Sequence, residues 1–140
     1  RVLQFEVGND SFSIESIGSN SVCYTGTHDN DTTVGWFTGS SDDNRSPEEI
    51  EHTRRVVLAN TGGSAETISQ DLIRLAFSSE AKMAIAPMQD YLGLGSESRF
   101  NRPGTSEDNW RWRLSFDQLS PSLKSSVRDM VVAGRRAPQA

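Results

Sequence analysis

The apolar positions of this chain fall in short runs that change period along its length. "VLQFEV" (residues 2–7) is a β-prone run stopped by "GND", and "SVCYTG" (residues 21–26) is a second, led in by the turn-rich "IGSNS". Past the polar loop "GSSDDNRS" the spacing turns helical. "SPEEIEHTRRVVLANTGG" supplies Ser46 as N-cap, Pro47 at the first helical position, acids in the first turn and glycines beyond the end, which predicts a helix from Pro47 to about Asn60. "SAETISQDLIRLAFSSE" restarts with Ser64 as a second N-cap and sets Ile68, Leu72, Leu75 and Ala76 at helical spacing. "KMAIAPM" is a short strand bounded by Pro87, and "SPSLKSSVRDMVVAG" a capped amphipathic helix ending at Gly134. Between them lies an irregular stretch over residues 89–116. Loops of that length are usually functional or disordered, and Phe100, Trp110 and Trp112 argue for order.

The resulting order is β, loop, β, loop, α, α, β, long loop, α, an α/β pattern with polar chemistry just after the strands. In barrel and doubly wound folds ligands sit at the carboxyl ends of strands. By position alone, His28, Asp29, Asp31, Gln89 and Asp90 are therefore site candidates.

Composition narrows the function classes. The 140 residues are 34% hydrophobic and 24% charged, ordinary for one globular domain. A net charge of -5 offers no basic field for a polyanion, so neither nucleic acid nor an anionic membrane is an expected partner. Cys23 is the only cysteine, which excludes an internal disulfide and fits a reducing compartment. No apolar run approaches the roughly 18 residues of a membrane span. The chain opens on Arg1 and enters a β-prone run directly, which reads as the interior of a longer protein.

The stretch "YTGTHDNDTTVGWF" (residues 24–37) carries the densest chemistry and admits two readings. Asp29, Asn30, Asp31 and Thr32 ahead of an apolar residue form a turn and helix cap, or they form a site. A calcium loop is excluded, since it needs Gly where Val34 stands and Glu where Ser40 stands. "GLGSES" lacks the third glycine of a dinucleotide fingerprint and reads as a turn. His52, between charged neighbours on a helix, reads as solvated. Trp110 and Trp112 alternate across a possible strand, with core packing the expected fate of both and a stacking platform the alternative for one.

"YTGTHDNDTTVGW", "AIAPMQDYLGLGSESRFNRPGT" and "NWRWR" together resemble the C-terminal part of the 4-α-glucanotransferases, the amylomaltase or disproportionating-enzyme family, glycoside hydrolase family 77. The resemblance covers most of residues 2–113. It implies a (β/α)8 barrel of which this chain is the last part, a single piece over residues 1–140 with no second domain. "VLQFEV", "SVCYTG" and "KMAIAPM" would be strands six to eight. The implied reaction is retaining transglycosylation on α-1,4-glucans, with maltodextrins as donors and glucose or a maltodextrin as acceptor. No cofactor or metal is expected, and the implied place of action is the bacterial cytosol or the plastid stroma.

On the same resemblance Asp29 is the acid that steadies the oxocarbenium-like transition state, and His28 donates hydrogen bonds to sugar hydroxyls beside it. Asn101 in "NRPGT" is a sugar contact, with Gln89 and Asp90 ranked below it as residues that shape the loop. The nucleophile and the general acid/base would lie upstream of Arg1. One departure stands out: family members carry an "NPYLPHNY"-like segment where this chain reads "NDSFSIESIGSNS", so the contribution of that loop is altered. The competing readings are a freestanding glucan-binding module and a structural fragment. The scattered aromatics and the acid motif at a strand end favour the enzyme over both.

Overall fold

A computed structural model describes residues 1–41 and 43–138; of the polar loop before the first long helix, Asp42 lies outside the described residues. Two strands, β1 (Val22–Tyr24) and β2 (Met83–Ile85), pair in parallel with Val22 opposite Met83 and Tyr24 opposite Ile85. On the other side of β1, Val2 makes a single parallel bridge to Tyr24. The spatial order is therefore Val2 segment, β1, β2, the same as the chain order. Parallel neighbours need long crossovers. That between β1 and β2 is built from α2 (Thr33–Thr38), α3 (Pro47–Thr61) and α4 (Ile68–Ser78), and α5 (Met88–Tyr91) and α6 (Pro121–Ala133) follow β2.

The first predicted strand is corrected. After Val2 the chain turns into a single helical turn, α1 (Leu3–Glu6). Leu3 and Val7, four apart, are both fully buried, and the Val7 N–H donates to the Leu3 carbonyl at 2.8 Å. In a strand Phe5 would share their face; here it is 68% exposed. The helical spacing of Leu3 and Val7 wins over the alternating one, and Arg1 reinforces the turn by bonding the Glu6 carboxylate, Nε to Oε1 at 2.8 Å. That pair holds the Glu6 carboxyl below its ordinary range.

The long helices follow their local signals more closely. Ser46 caps α3 with a reciprocal box, the Glu49 N–H donating to Ser46 Oγ at 3.2 Å and the Ser46 N–H to Glu49 Oε2 at 2.6 Å. Gly62 ends the helix at φ +68°, a left-handed conformation that suits glycine. The helix expected to start after Ser64 starts three residues later. Ser64 is used in a turn, its N–H donating to Thr67 Oγ1 at 3.1 Å and its carbonyl accepting from the Thr67 N–H at 3.2 Å, so Thr67 becomes the capping residue of α4.

Helix α4 is the spine of the core. Ile68, Leu72 and Ala76 form one buried row, and Ser69, Ile73 and Phe77 the next. Burying each Leu or Ile of this kind contributes about 1.5–3 kcal/mol. Phe37, Val57, Met130, Cys23 and Ile17 close around them. Leu75, expected on the core face, is partly buried at its margin. The end of α4 is tied by Arg136, which donates to the carbonyls of Phe77 (2.8 Å), Ser79 (2.7 Å) and Ala81 (3.0 Å). One terminal carbonyl of the helix, that of Phe77, and two of the turn that follows it are thereby satisfied.

Candidate active site

Beyond Tyr24 the chain leaves the sheet through Thr25, whose N–H still donates to the Ile85 carbonyl at 3.2 Å. Gly26 comes next, and a Cβ there would lie 2.7 Å from Gln4 Nε2, so a side chain at this position would displace the Gln4 amide from its bond to the Asp31 carbonyl at 3.0 Å. The loop over residues 27–32 is then wired by its own side chains. Asn30 Oδ1 accepts from the Thr27 N–H (2.9 Å) and hydroxyl (2.8 Å), and the Asn30 N–H returns to the Thr27 carbonyl at 3.1 Å. Thr32 Oγ1 accepts from the Gly35 N–H at 3.1 Å and caps α2. The cap-and-turn reading of this motif is thus correct for Asn30 and Thr32. The Asp29 N–H joins the turn, donating to Thr27 Oγ1 at 3.3 Å, but the His28 and Asp29 side chains stand outside it, 59% and 52% exposed.

The loop after β2 reaches across to them. Asn101 Nδ2 donates to Asp29 Oδ1 at 2.6 Å, and His28 Nε2 lies 3.3 Å from the same oxygen. Arg99 clamps the backbone on both sides, donating to the Asp29 carbonyl (2.8 Å) and to the Asn101 carbonyl (2.9 Å). The sequence alone does not mark Arg99 as part of the site. Its only sequence signal is its place inside "SESRF", two residues before Asn101.

Asp31 belongs to the support. It accepts from Ser96 Oγ at 2.6 Å and from the Thr32 N–H at 2.8 Å, and a Cβ on Gly35 would lie 2.2 Å from Ser96 Oγ and 2.6 Å from both Asp31 carboxylate oxygens. Beneath it lies Asp90, 1% exposed, accepting from the Thr25 hydroxyl (2.7 Å), the Thr33 N–H (2.8 Å) and the Thr33 hydroxyl (2.9 Å). Burial pushes the Asp90 carboxyl up from its ordinary range, against the pull of those donors. Gln89, 2% exposed, donates to the Ser98 carbonyl at 3.1 Å and lines a space of about 10 Å³, room for one water. Both side chains are thus buried and bonded beneath the loops, whereas Asn101 reaches the Asp29 carboxylate.

The aromatics depart from expectation. Residues 108–115 form no strand, Trp112 is half-buried, and Trp110 is 53% exposed with its ring centroid 5.3 Å from His28. Core packing accounts for neither. His52 is partly exposed as expected, though not without company: its Nε2 lies 3.6 Å from Asp10.

Two polar clefts meet at this point. One of about 250 Å³ is lined by Asp29, Asp31, Trp36, Asp43, Arg45 and Arg99 among others. The other, of about 610 Å³, runs from Ser96 and Arg99 to Asn109. Asp43 is held below its ordinary range by its hydrogen bond to Arg45, so this charge is balanced within the wall. Among the described residues no group of His, Cys, Asp and Glu is placed to hold a metal ion, and no helix is long and apolar enough to cross a membrane.

Parallel strands joined by helices, with a carboxylate, an imidazole and an amide gathered beyond their carboxyl ends, define a piece of a mixed α/β fold. The family model described as 4-alpha-glucanotransferase, glycoside hydrolase family 77, matches residues 1–119, and the chain belongs to that family. Among its relatives is a 4-alpha-glucanotransferase of Streptococcus pneumoniae, 38% identical over 139 residues, covering 97% of this chain and 26% of the relative. One from Synechocystis is 47% identical over 120 residues, covering 86% and 22%. The chloroplastic/amyloplastic enzyme of Solanum tuberosum is 43% identical over 137 residues, covering 93% and 22%. The chain thus spans about a quarter of the length of the curated relatives it matches. The fold is similar to part of a solved structure, amylomaltase from Streptococcus agalactiae in complex with acarbose, with a TM-score of 0.81 at 24% identity, covering 99% of this chain and 27% of the other.

Proposed function

We propose that these 140 residues are the C-terminal part of a (β/α)8 catalytic barrel, one piece without a second domain, and that the whole protein is a 4-α-glucanotransferase. The Val2 segment, β1 and β2 are its strands six, seven and eight. The consecutive parallel order, the helical crossover between β1 and β2, and the names the relatives carry support this reading. The protein transfers a segment of an α-1,4-glucan to the 4-hydroxyl of glucose or a maltodextrin by double displacement, with the nucleophile and proton donor supplied by residues outside this quarter. It acts in the bacterial cytosol or the plastid stroma, consistent with bacterial and chloroplastic/amyloplastic relatives.

The observation that carries the proposal is the convergence of Asn101 and His28 on one oxygen of Asp29 at a strand end. A carboxylate held this way faces developing positive charge at the anomeric carbon without having to reorient. At about 4 Å and an effective dielectric of about 20, that attraction is about 4 kcal/mol, or roughly a thousandfold in rate. His28 and Asn101 have donor capacity that suits ring hydroxyls.

The test uses the complete gene product that contains these residues. Incubated with maltotriose, it yields glucose and a ladder of longer maltodextrins by chromatography. Asp29→Asn keeps the shape and lowers kcat about a thousandfold with KM nearly constant. Hydrolysis or no reaction in the wild type overturns the activity, and a variant within tenfold of wild-type kcat overturns the role of Asp29.

A further inference from the structure

We propose that Trp110 is a sugar-stacking residue at the rim of this site, presenting its indole face to a pyranose ring of an α-glucan bound next to His28 and Asp29. The inference rests on the glucanotransferase reading above and adds a residue to it.

Three observations meet at Trp110. Its side chain is large and apolar yet 53% exposed, although an indole is a costly group to leave in water. Its backbone stands at φ +63°, a left-handed conformation in which a bulky side chain is a true outlier, and such strain gathers at ligand sites. Finally, it is held in place rather than loose. The Trp110 N–H donates to the Phe100 carbonyl at 2.7 Å, Arg113 donates to its carbonyl at 2.8 Å, and its ring lies 6.3 Å from Phe100. Phe100 in turn meets Trp112 edge-on at 5.8 Å.

The result is a row of rings, Trp112, Phe100, Trp110 and His28, that ends beside the Asp29 carboxylate. Trp112 and Phe100 are half-buried, and Trp110 and His28, at the end nearest the carboxylate, are exposed. A glucose ring has an apolar C–H face and a polar rim of hydroxyls. An indole beside an imidazole, a carboxylate and an amide matches both, the ring taking the face and the polar groups taking the rim. Trp110 would then bind a sugar adjoining the one at Asp29 without contacting the reacting atoms.

Substitution separates stacking from mere bulk. In the complete gene product Trp110→Leu raises KM for maltotriose about tenfold with kcat within threefold of wild type, and Trp110→Phe restores KM to within about threefold. Unchanged KM in Trp110→Leu overturns the proposal, as does a Trp110→Phe variant no better than Trp110→Leu. A measurement on the unmodified protein avoids dependence on variant folding. N-bromosuccinimide oxidation, followed at Trp110 by peptide mass, is slowed severalfold by saturating maltotriose. An equal rate with and without the sugar, or a Trp110 that does not react in the complete protein, overturns it. If the wild type forms no longer maltodextrins from maltotriose, the glucanotransferase reading fails instead; if it forms them while Trp110 is unprotected, this inference alone fails.

Discussion

Replacing Asp90 tests how the site loop is fixed to the body of the fold. The Asp90 carboxylate collects three donors, from Thr25 at the end of β1 and Thr33 at the start of α2, and is 1% exposed. Asp90→Ala strips them of their acceptor. The two hydroxyls can rotate toward other partners, at about 1 kcal/mol or less each, whereas the buried Thr33 N–H cannot, at about 1–3 kcal/mol. Removing a desolvated charge returns part of this. The expected net loss is about 2–4 kcal/mol for alanine and under about 1 kcal/mol for Asp90→Asn, which keeps an acceptor for Thr33 and a donor for the hydroxyls. The pH dependence gives an independent sign. Burial raises the folded-state pKa of Asp90 above its unfolded value. Its contribution to stability is therefore fully present below the unfolded pKa and is lost as pH rises through the folded one, by at most about 1.4 kcal/mol per pH unit. Asp90→Asn has no such loss, so it gains on the wild type as pH climbs from the acid range to neutrality. Equilibrium urea unfolding of wild type and both variants across that range measures it. An alanine variant as stable as wild type, or an asparagine variant that loses ground with rising pH, refutes the reasoning.

Two further outcomes follow from the same loops. Gly35→Ala improves helix propensity by about 1 kcal/mol in isolation, yet the added methyl meets Ser96 Oγ and the Asp31 carboxylate, so thermal unfolding of this variant occurs below the wild-type midpoint and transfer activity falls; a raised midpoint contradicts the close approach. His28→Ala lowers kcat/KM for maltotriose tenfold or more, whereas His52→Ala on α3 changes it less than twofold; equal effects in the two kinetic assays remove His28 from the site.

Much of the architecture was readable in local signals, and the misses have a common cause. Helix α3 announces itself because Ser46, Pro47, Glu49 and Gly62 act on their own neighbours, so its ends can be read without tertiary knowledge. The last helix, capped by Ser120 and ended at Gly134, and the two strands are legible for the same reason. "VLQFEV" fits two periods, and only the burial of Leu3 and Val7 together decides between them. Helix α2, six residues containing a glycine, is too short for any period to emerge. Ser64 has the residue type of a cap, and only the fold shows that its partner is Thr67. At the site, His28, Asp29 and Asn101 were nameable by resemblance. Arg99 was not, since its bond to the Asp29 carbonyl spans 70 residues of sequence. Core packing is what the sequence suggests for Trp110, with stacking as the alternative for one of the two tryptophans, and its left-handed φ of +63° and 53% exposure are visible only in the fold.

The loop that carries Asn101 closes on itself. The Phe100 carbonyl meets the Trp110 N–H, and Asn109 ties the Arg102 N–H (2.8 Å) and the Thr105 carbonyl (3.0 Å) inside that ring. Residues 106–108 lie inside that ring, tied to its base through the ion pair of Asp108 with Arg111 at 3.1 Å, an exposed pair of a kind that contributes little. Doubling the length of such a closed loop adds only about 0.6 kcal/mol of closure entropy. Residues 106–108 form part of the wall of the 610 Å³ cleft. This is the place where lineages, or a protein engineer, can lengthen the chain and reshape that wall while Asp29, Asn101 and Arg99 keep their positions. The shape of that wall and the arrangement around Asp29 are in that sense separately evolvable here.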